Sequence, residues 1–373
     1  MKKTEFEVAI VGGGIIGLMT ARELSRSGVQ CCVIEANYCG KEASWAGGGI
    51  VSPLYPWRYS APVTALAEWS QQHYRSLCED LYAESGINPE WIQSGLLILS
   101  VKDSAVAQRW ADNNQVPFQH CRKDKIPDVQ PGLNTHKDAF FFEHVAQVRN
   151  PRLMKALLAS LNKREVTIFE QSPVTAIKAP IGKHWQLTAG AHHIDAQQVV
   201  VCSGAWTGKI MGEFGLSVAV APVRGQMLMF SPHRHALRRI VLNDGRYLIP
   251  RSDGRILCGS TVEYVDFDKN TTNEAFDSLR HSATQIMPSL SSQSIEMHWA
   301  GLRPGSNQGI PTIGPVPNYP GLWINAGHFR NGVVLAPASC QLLADLILGR
   351  SPIIDASAYA LSAADSVIRS STH

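Results

Sequence analysis

The chain runs to 373 residues, enough for one large domain or two medium ones. Hydrophobic residues form 45% of it and charged residues 17%, a globular balance that excludes disorder except at the Ser-rich C-terminal end and leaves no run of about 18 uncharged apolar residues to span a membrane. The net charge of +3 is spread over short clusters such as Arg234, Arg238 and Arg239, which read as a solvated face and fall short of the basic stripe of a nucleic-acid binder.

In chain order, residues 7–11 predict a short buried strand, glycines turn the chain, and residues 15–27 carry the Ala, Leu, Met and Glu of a helix that Gly28 ends. Residues 30–35 alternate into a second strand, completing a βαβ unit with parallel pairing and a right-handed crossover. Glu5, Glu7 and the glycines interrupt the opening apolar run, so it does not read as a signal peptide. Helices are expected over 63–84, 106–113 and 150–162, and strands over 95–101, 166–169, 174–177 and 199–201. Residues 220–260 read mostly as strands, with turns at Gly245 and 252–254. A last helix over 336–348 is closed by Gly349, and Pro352 prevents its continuation. The eight cysteines form no CxxC pair and no zinc-ligand spacing with His, so they read as reduced thiols of a cytosolic protein, and no metal site is expected.

Gly12, Gly14 and Gly17 form a GxGxxG directly after a strand and before a helix, with Glu35 at the end of the next strand. Gly12 permits the tight turn, Gly14 lets the backbone approach a pyrophosphate, and Gly17 lets helix and strand pack closely. Glu35 suits ribose hydroxyls and would repel a 2′-phosphate. No second GxGxxG follows, so one dinucleotide carries the chemistry. Ser44, Trp45, Ala46, Gly47, Gly48 and Gly49 form a loop nearly bare of side chains, open to close backbone approach by a cofactor. Late in the chain, Arg303 and Arg330 stand beside glycines, each a planar fork able to hold a carboxylate.

Together the VGGGIIG start with Glu35, the SWAGGG loop, the VVVCSGAW strand end, the RYLIPR segment, the WAGLRP turn and the GHFRNGVVLAP stretch resemble the D-amino-acid-oxidase family of FAD-dependent amine oxidoreductases. Within it the chain is most similar to ThiO-type glycine oxidases, from its first strand to its last helix. The resemblance implies an α/β fold in which a glutathione-reductase-type FAD domain, a Rossmann-type parallel sheet over 1–85, 145–220 and 300–373, is interleaved with an antiparallel-sheet substrate domain over 86–144 and 221–299. It carries over Arg303 as the partner of the substrate carboxylate and Tyr247 as a second group holding it. Arg330 falls in the segment of Gly327, His328, Phe329, Asn331, Gly332 and Val333 that borders the flavin N1 and O2 edge, where N–H groups and positive charge stabilise the reduced ring. Val174 matches an adenine contact, and Ser203, Gly204 and Trp206 match an FAD-facing strand end. Gly12, Gly14, Ile15, Ile16, Gly17, Glu35, Ala36, Ser44, Ala46, Gly47, Gly48 and Gly49 complete the expected cofactor contacts.

The activity implied is hydride transfer from the α-carbon of glycine or another small amino acid or amine to flavin N5. The imine then gives an oxo acid and ammonia while oxygen becomes hydrogen peroxide, with a link to thiamine thiazole synthesis. A homo-oligomer in the cytoplasm is expected, and peripheral membrane contact stays open. No cysteine lies in 309–324, so the flavin is expected to be non-covalent. Two departures bear on the substrate: residues 50–59 are bulky, with Leu54, Tyr55, Trp57 and Arg58, and Glu263 stands where a neutral residue is more usual. The alternative is a D-amino-acid or secondary-amine dehydrogenase passing electrons to a quinone. A flavoprotein of assembly or tRNA modification and an NAD-dependent dehydrogenase fit the late motifs less well.

Overall fold

The computed structural model describes residues 4–182, 184–232 and 237–361; Arg234 and the Ser-rich end lie outside them. The first strand, Thr4–Val11, pairs in parallel with Cys31–Ile34 on one side and with His192–Val201 on the other. Thr167–Phe169 extends the sheet beyond Cys31–Ile34, and Leu322–Ala326 and Thr312–Pro315 extend it at the far edge. Alternation along the first strand decides the layers. Val8 and Ile10 pack into a cluster with the helices Ile15–Arg26, Ala61–Ser85, Asn150–Lys163 and Gly332–Ile347. Ala9 and Val11 pack on the opposite face, with Trp185 and Leu187 of the strand His184–Ala189, which pairs antiparallel with Val174–Ile181. A sheet covered on both faces is why its strands read as continuous apolar runs.

The second sheet orders Ile295–Ser306, Val220–Phe230, Ile256–Gly259, Arg246–Pro250, Ile240–Asn243, Leu96–Leu99, Ala139–Phe142 and Gln119–Cys121. Its neighbours run antiparallel except Ile240–Asn243 with Leu96–Leu99. The helix Asn273–Ile286, absent from the sequence reading, buries Leu279, Ala283 and Ile286 against one face of it. Two expectations change. Trp299 to Pro304 do not make a turn but lie inside the strand Ile295–Ser306, where they pair with Val220–Phe230 and cross the expected 299/300 boundary. Arg239 is not on a solvated face: its guanidinium lies 5.1 Å from the centre of the Phe141 ring and donates to the Ser94 carbonyl at 3.3 Å. All eight cysteines are buried and free.

The last helix begins at Gly332, earlier than its sequence suggests, and runs through Pro337. Proline has no N–H to offer the carbonyl four residues back. That carbonyl, Val333 O, instead accepts the buried Tyr74 hydroxyl at 3.1 Å, so the Ala61–Ser85 helix supplies the missing bond. The same helix carries Glu84, which accepts from Arg22 at 2.8 Å, from Arg164 at 2.8 Å and from Ser160, joining three helices at one carboxylate. Burial alone would push that carboxyl up, but these hydrogen bonds and the Arg22 charge outweigh it and lower the pKa to about 2. The folded chain therefore binds fewer protons than the unfolded one, and this stability is lost as pH falls from 4.5 towards 2. Glu84→Ala takes from the buried Arg22 guanidinium its nearest carboxylate, leaving Glu23 at 3.4 Å and Asp80 at 3.8 Å, and is expected to cost about 2 kcal/mol at pH 7. Chemical denaturation at pH 7 and at pH 3 checks both statements, since the gap between variant and parent narrows in acid.

Candidate active site

Residues from both sheets line one cleft of about 410 Å³, a volume suited to a cofactor and a small ligand. Gly12 is held at φ +117°, and a Cβ there would collide with the Cys202 carbonyl; at Gly17 it would collide with the Gly12 carbonyl. The turn can therefore close only with glycine at both positions. Ser44 accepts the Ile15 N–H at 2.9 Å, and the Glu35 carboxylate accepts the N–H groups of Gly13 at 2.8 Å and Asn37 at 2.9 Å. Glu35 thus shapes the glycine turn as well as bordering the cleft. Of the cofactor and substrate contacts that the resemblance implied, Gly17 and Asn331 do not line the cleft. Gly17 acts through packing, and Asn331 precedes the last helix with its side-chain nitrogen buried and unpartnered. Every other one does, from Gly12, Gly14, Ile15, Ile16, Glu35 and Ala36 to Val333.

The loop of Gly47, Gly48 and Gly49 is pinned on two sides. Arg251, only 8% exposed, donates to the Gly48 carbonyl at 2.9 Å, to Val148 O at 3.0 Å and to Gln147 at 2.8 Å. Burial lowers its pKa to about 10, with Arg149 adding repulsion, so it stays cationic at neutral pH. Asn150 donates to the Ser44 carbonyl at 2.8 Å, and Trp299 donates to the Ala46 carbonyl at 3.0 Å. These three residues were not found in the sequence, where nothing marks a buried side chain that serves a loop a hundred or more positions away.

Arg303 keeps part of its surface open to the cleft while protein surrounds the rest. It donates to the Thr261 carbonyl at 3.0 Å, the Arg224 carbonyl at 3.4 Å and the Ser260 hydroxyl at 2.8 Å. All are neutral oxygens, and burial pushes the guanidinium pKa down, as does Arg330 nearby. Gly225, across the strand pair, makes this placement possible, because a Cβ there would collide with the guanidinium. Tyr247 is buried beside Gly259, whose Cβ would come within 2.7 Å of its ring. A glycine inside a strand marks such close approaches, and Gly225 is the missed signal. Glu263 does not line the cleft: Arg224 donates to it at 2.6 and 2.8 Å and Gln226 at 3.0 Å. Its hydrogen bonds are spent there, though its charge still acts on Arg303 and offsets part of the effect of burial. His328 is buried, its Nε2 lies 3.1 Å from the Ser339 hydroxyl, and burial lowers its pKa to about 3, so it borders the cleft as a neutral ring. Ser203 Oγ and Asn325 Oδ1, in two residues that line the cleft, are buried without a partner among the described residues.

The family described as DAO, FAD dependent oxidoreductase, matches residues 7–346. A glycine oxidase of Pseudomonas aeruginosa is 47% identical over 355 residues, covering 95% of this chain and 98% of that one. A bifunctional protein ThiO/ThiG of Synechocystis is 30% identical over 370 residues, and the match spans 95% of this chain but 54% of that protein. The crystal structure of glycine oxidase from Geobacillus kaustophilus superposes with a TM-score of 0.92 at 28% identity, over 96% of this chain and 99% of that one. Among the described residues no helix is long and apolar enough to cross a membrane.

Gly225→Ala is expected to displace the Arg303 fork and weaken binding of a small carboxylate such as acetate by tenfold or more, roughly the worth of one charged hydrogen bond. Calorimetric titration of the variant beside the parent checks it.

Proposed function

The chain belongs to the FAD-dependent oxidoreductase family, and we propose that it oxidises glycine, and small amines close to it, at the α-carbon. Glycine, oxygen and water give glyoxylate, ammonia and hydrogen peroxide. FAD is the cofactor, and the cleft fits it. The glycines of the first turn leave no room for a Cβ, and the buried oxygens of Ser203 and Asn325 await a donor. Glu35 and Val174 would hold the adenosine part, and the turn of Gly12 and Gly14 with Ser44 the phosphates. The pinned loop of residues 46–49, Arg330 and the backbone of residues 327–333 would hold the ring. Held there without a covalent bond, FAD supplies the two-electron acceptor and the route of those electrons to oxygen.

One observation carries the substrate side of this reading: Arg303 is a largely enclosed cation that shares the cleft with Tyr247 and gives its hydrogen bonds only to neutral oxygens. A bidentate carboxylate supplies the missing charge and fixes the α-carbon in one orientation. Met227, Tyr247 and Leu54 line the same cleft with apolar surface that excludes water from it. His328, neutral and bound to Ser339, adds no charge and takes no proton from the amine at working pH. The substrate amine must therefore bind in its free-base form, so kcat/KM should rise with pH towards the amine's own pKa. The match to the ThiO/ThiG protein supports a role for the imine in thiazole assembly. We take the chain to act in the cytoplasm as a homo-oligomer.

Peroxide release in air from FAD-loaded protein, against glycine, sarcosine, D-alanine, D-proline and their L-counterparts, tests the reading. Arg303→Ala should raise KM about 100-fold, with a smaller loss in kcat. Reduction of a dye without peroxide would identify a dehydrogenase instead and remove the oxidase reading.

A further inference from the structure

Residues 52–58, bulky in the sequence, form a strap that the cofactor scheme leaves unused. Leu54 lines the cleft together with Arg303, Met227 and Tyr247, and packs against the apolar cluster to which Met227 and Tyr247 belong. The hydroxyl of Tyr55 accepts the Gly245 N–H at 3.1 Å, in the turn that leads into Tyr247. Trp57 is buried, stacks on Phe142 at 6.2 Å between ring centres, and donates through Nε1 to Asp103 Oδ2 at 2.7 Å. Arg58 donates to both oxygens of the same carboxylate, at 2.7 and 2.9 Å, and its guanidinium lies 4.1 Å from the centre of the Tyr55 ring. One carboxylate on the segment before the helix Ser104–Asn114 thus takes three hydrogen bonds from two successive strap residues. The bonds from Arg58 foremost, with that from Trp57, lower the Asp103 carboxyl to about 2, so the clamp stays charged wherever the enzyme works.

We propose that Asp103 is a positioning residue that holds this strap in place, so that Leu54 closes the carboxylate end of the cleft and limits the size of the α-substituent the enzyme oxidises. The inference rests on the amino-acid-oxidase reading. A carboxylate seated on Arg303 leaves the α-carbon within the cluster of Tyr247, Met227 and Leu54. Glycine presents only hydrogens there. A longer substituent needs Leu54 to retreat, and the strap resists because it is fastened at both ends, by Tyr55 to Gly245 and by Trp57 and Arg58 to Asp103. A lone exposed ion pair would contribute little. Here the same carboxylate also holds a buried indole, so losing it releases packing as well as charge.

The test uses the FAD-loaded enzyme and kcat/KM for D-alanine, D-2-aminobutyrate and D-norvaline, each divided by the value for glycine. Leu54→Ala should raise these ratios about tenfold or more for the ethyl and propyl substituents, the worth of one or two methylenes in a fitted pocket. Asp103→Ala should raise them in the same order of substituents and increase KM for glycine more than it lowers kcat. A merely structural loss would depress all substrates alike and leave the ratios flat. Limited trypsin digestion gives a second readout: the bond after Arg58 should be cut about tenfold faster in Asp103→Ala than in the parent. Should Asp103→Ala not fold, Asp103→Asn, which keeps the size of the side chain and the tryptic site at Arg58 but removes the charge that pairs with it, takes its place in both measurements. Unchanged ratios in Leu54→Ala overturn the role of Leu54, and equal tryptic rates overturn the clamp. A parent enzyme that oxidises no amino acid overturns the function reading instead, and the tryptic comparison then decides the clamp by itself.

Discussion

The structure depends on keeping one guanidinium largely enclosed by protein and, among the described residues, without a salt-bridge partner. Arg303 reaches the cleft from a strand in the chain's longest described pairing, and its nitrogens bind two backbone carbonyls, a serine hydroxyl and the Tyr247 hydroxyl, all of them neutral. Such a cation is costly unless an anion arrives. That cost is carried by the rest of the second sheet: Gly225 makes the space, Ser260 and Thr261 hold the fork, and Tyr247 stands beside it. On the proposed reading a ligand carboxylate would recover the deficit, so that affinity and orientation would come from the same residue.

The other wall shows the complementary device. Backbone able to approach a flat ring and a pyrophosphate must be almost bare of side chains, and bare backbone is mobile unless something else fixes it. In this chain the fixing groups are remote in sequence. Arg251 holds Gly48, Asn150 holds Ser44 and Trp299 holds Ala46. Two of these come from the second sheet or the segment attached to it, so the loop that borders the flavin site is anchored to the sheet that carries the carboxylate anchor. The distance between the two halves of the reaction is thereby set by tertiary hydrogen bonds and not by the loop.

Much of this was legible in the sequence, and the remainder was hidden for physical reasons. The βαβ unit announced itself because a turn at φ +117° and a helix packed against a carbonyl both demand glycine, leaving a fixed spacing. Arg303 and Arg330 were visible through the WAGLRP and GHFRNGVVLAP motifs in which they stand, since an arginine taken alone reads as a surface ion pair. The strand Ile295–Ser306 was not recognised, because Gly301, Pro304 and Gly305 imitate a turn; only its pairing with Val220–Phe230 shows that a glycine and a proline can sit in a strand at the sheet's edge. The last helix was begun too late because Pro337 reads as a start, and nothing local reveals that Tyr74 satisfies the carbonyl it leaves free. Gly225 illustrates the general difficulty, since its meaning lies in the guanidinium across the sheet.

Glu263 bears on whether Arg303 is left free to meet an anion. Two arginines occupy neighbouring strands one register step apart, Val223 pairing with Arg303 and Arg224 with Leu302. Their side chains therefore leave the pair on opposite faces. Arg224 is met by Glu263 and Asp268, at 2.6 and 2.5 Å, and its charge is cancelled outside the cleft. Had Glu263 turned towards Arg303, it would have supplied internally the carboxylate that the substrate must bring, and the site would bind nothing. The bonds from Arg224 and Gln226 prevent this by holding Glu263 on the far side. An acidic residue that looked, in the sequence, like a threat to an anion site is thus part of what protects it: by neutralising the arginine on one face, it leaves the arginine on the other as the charge that an incoming carboxylate meets.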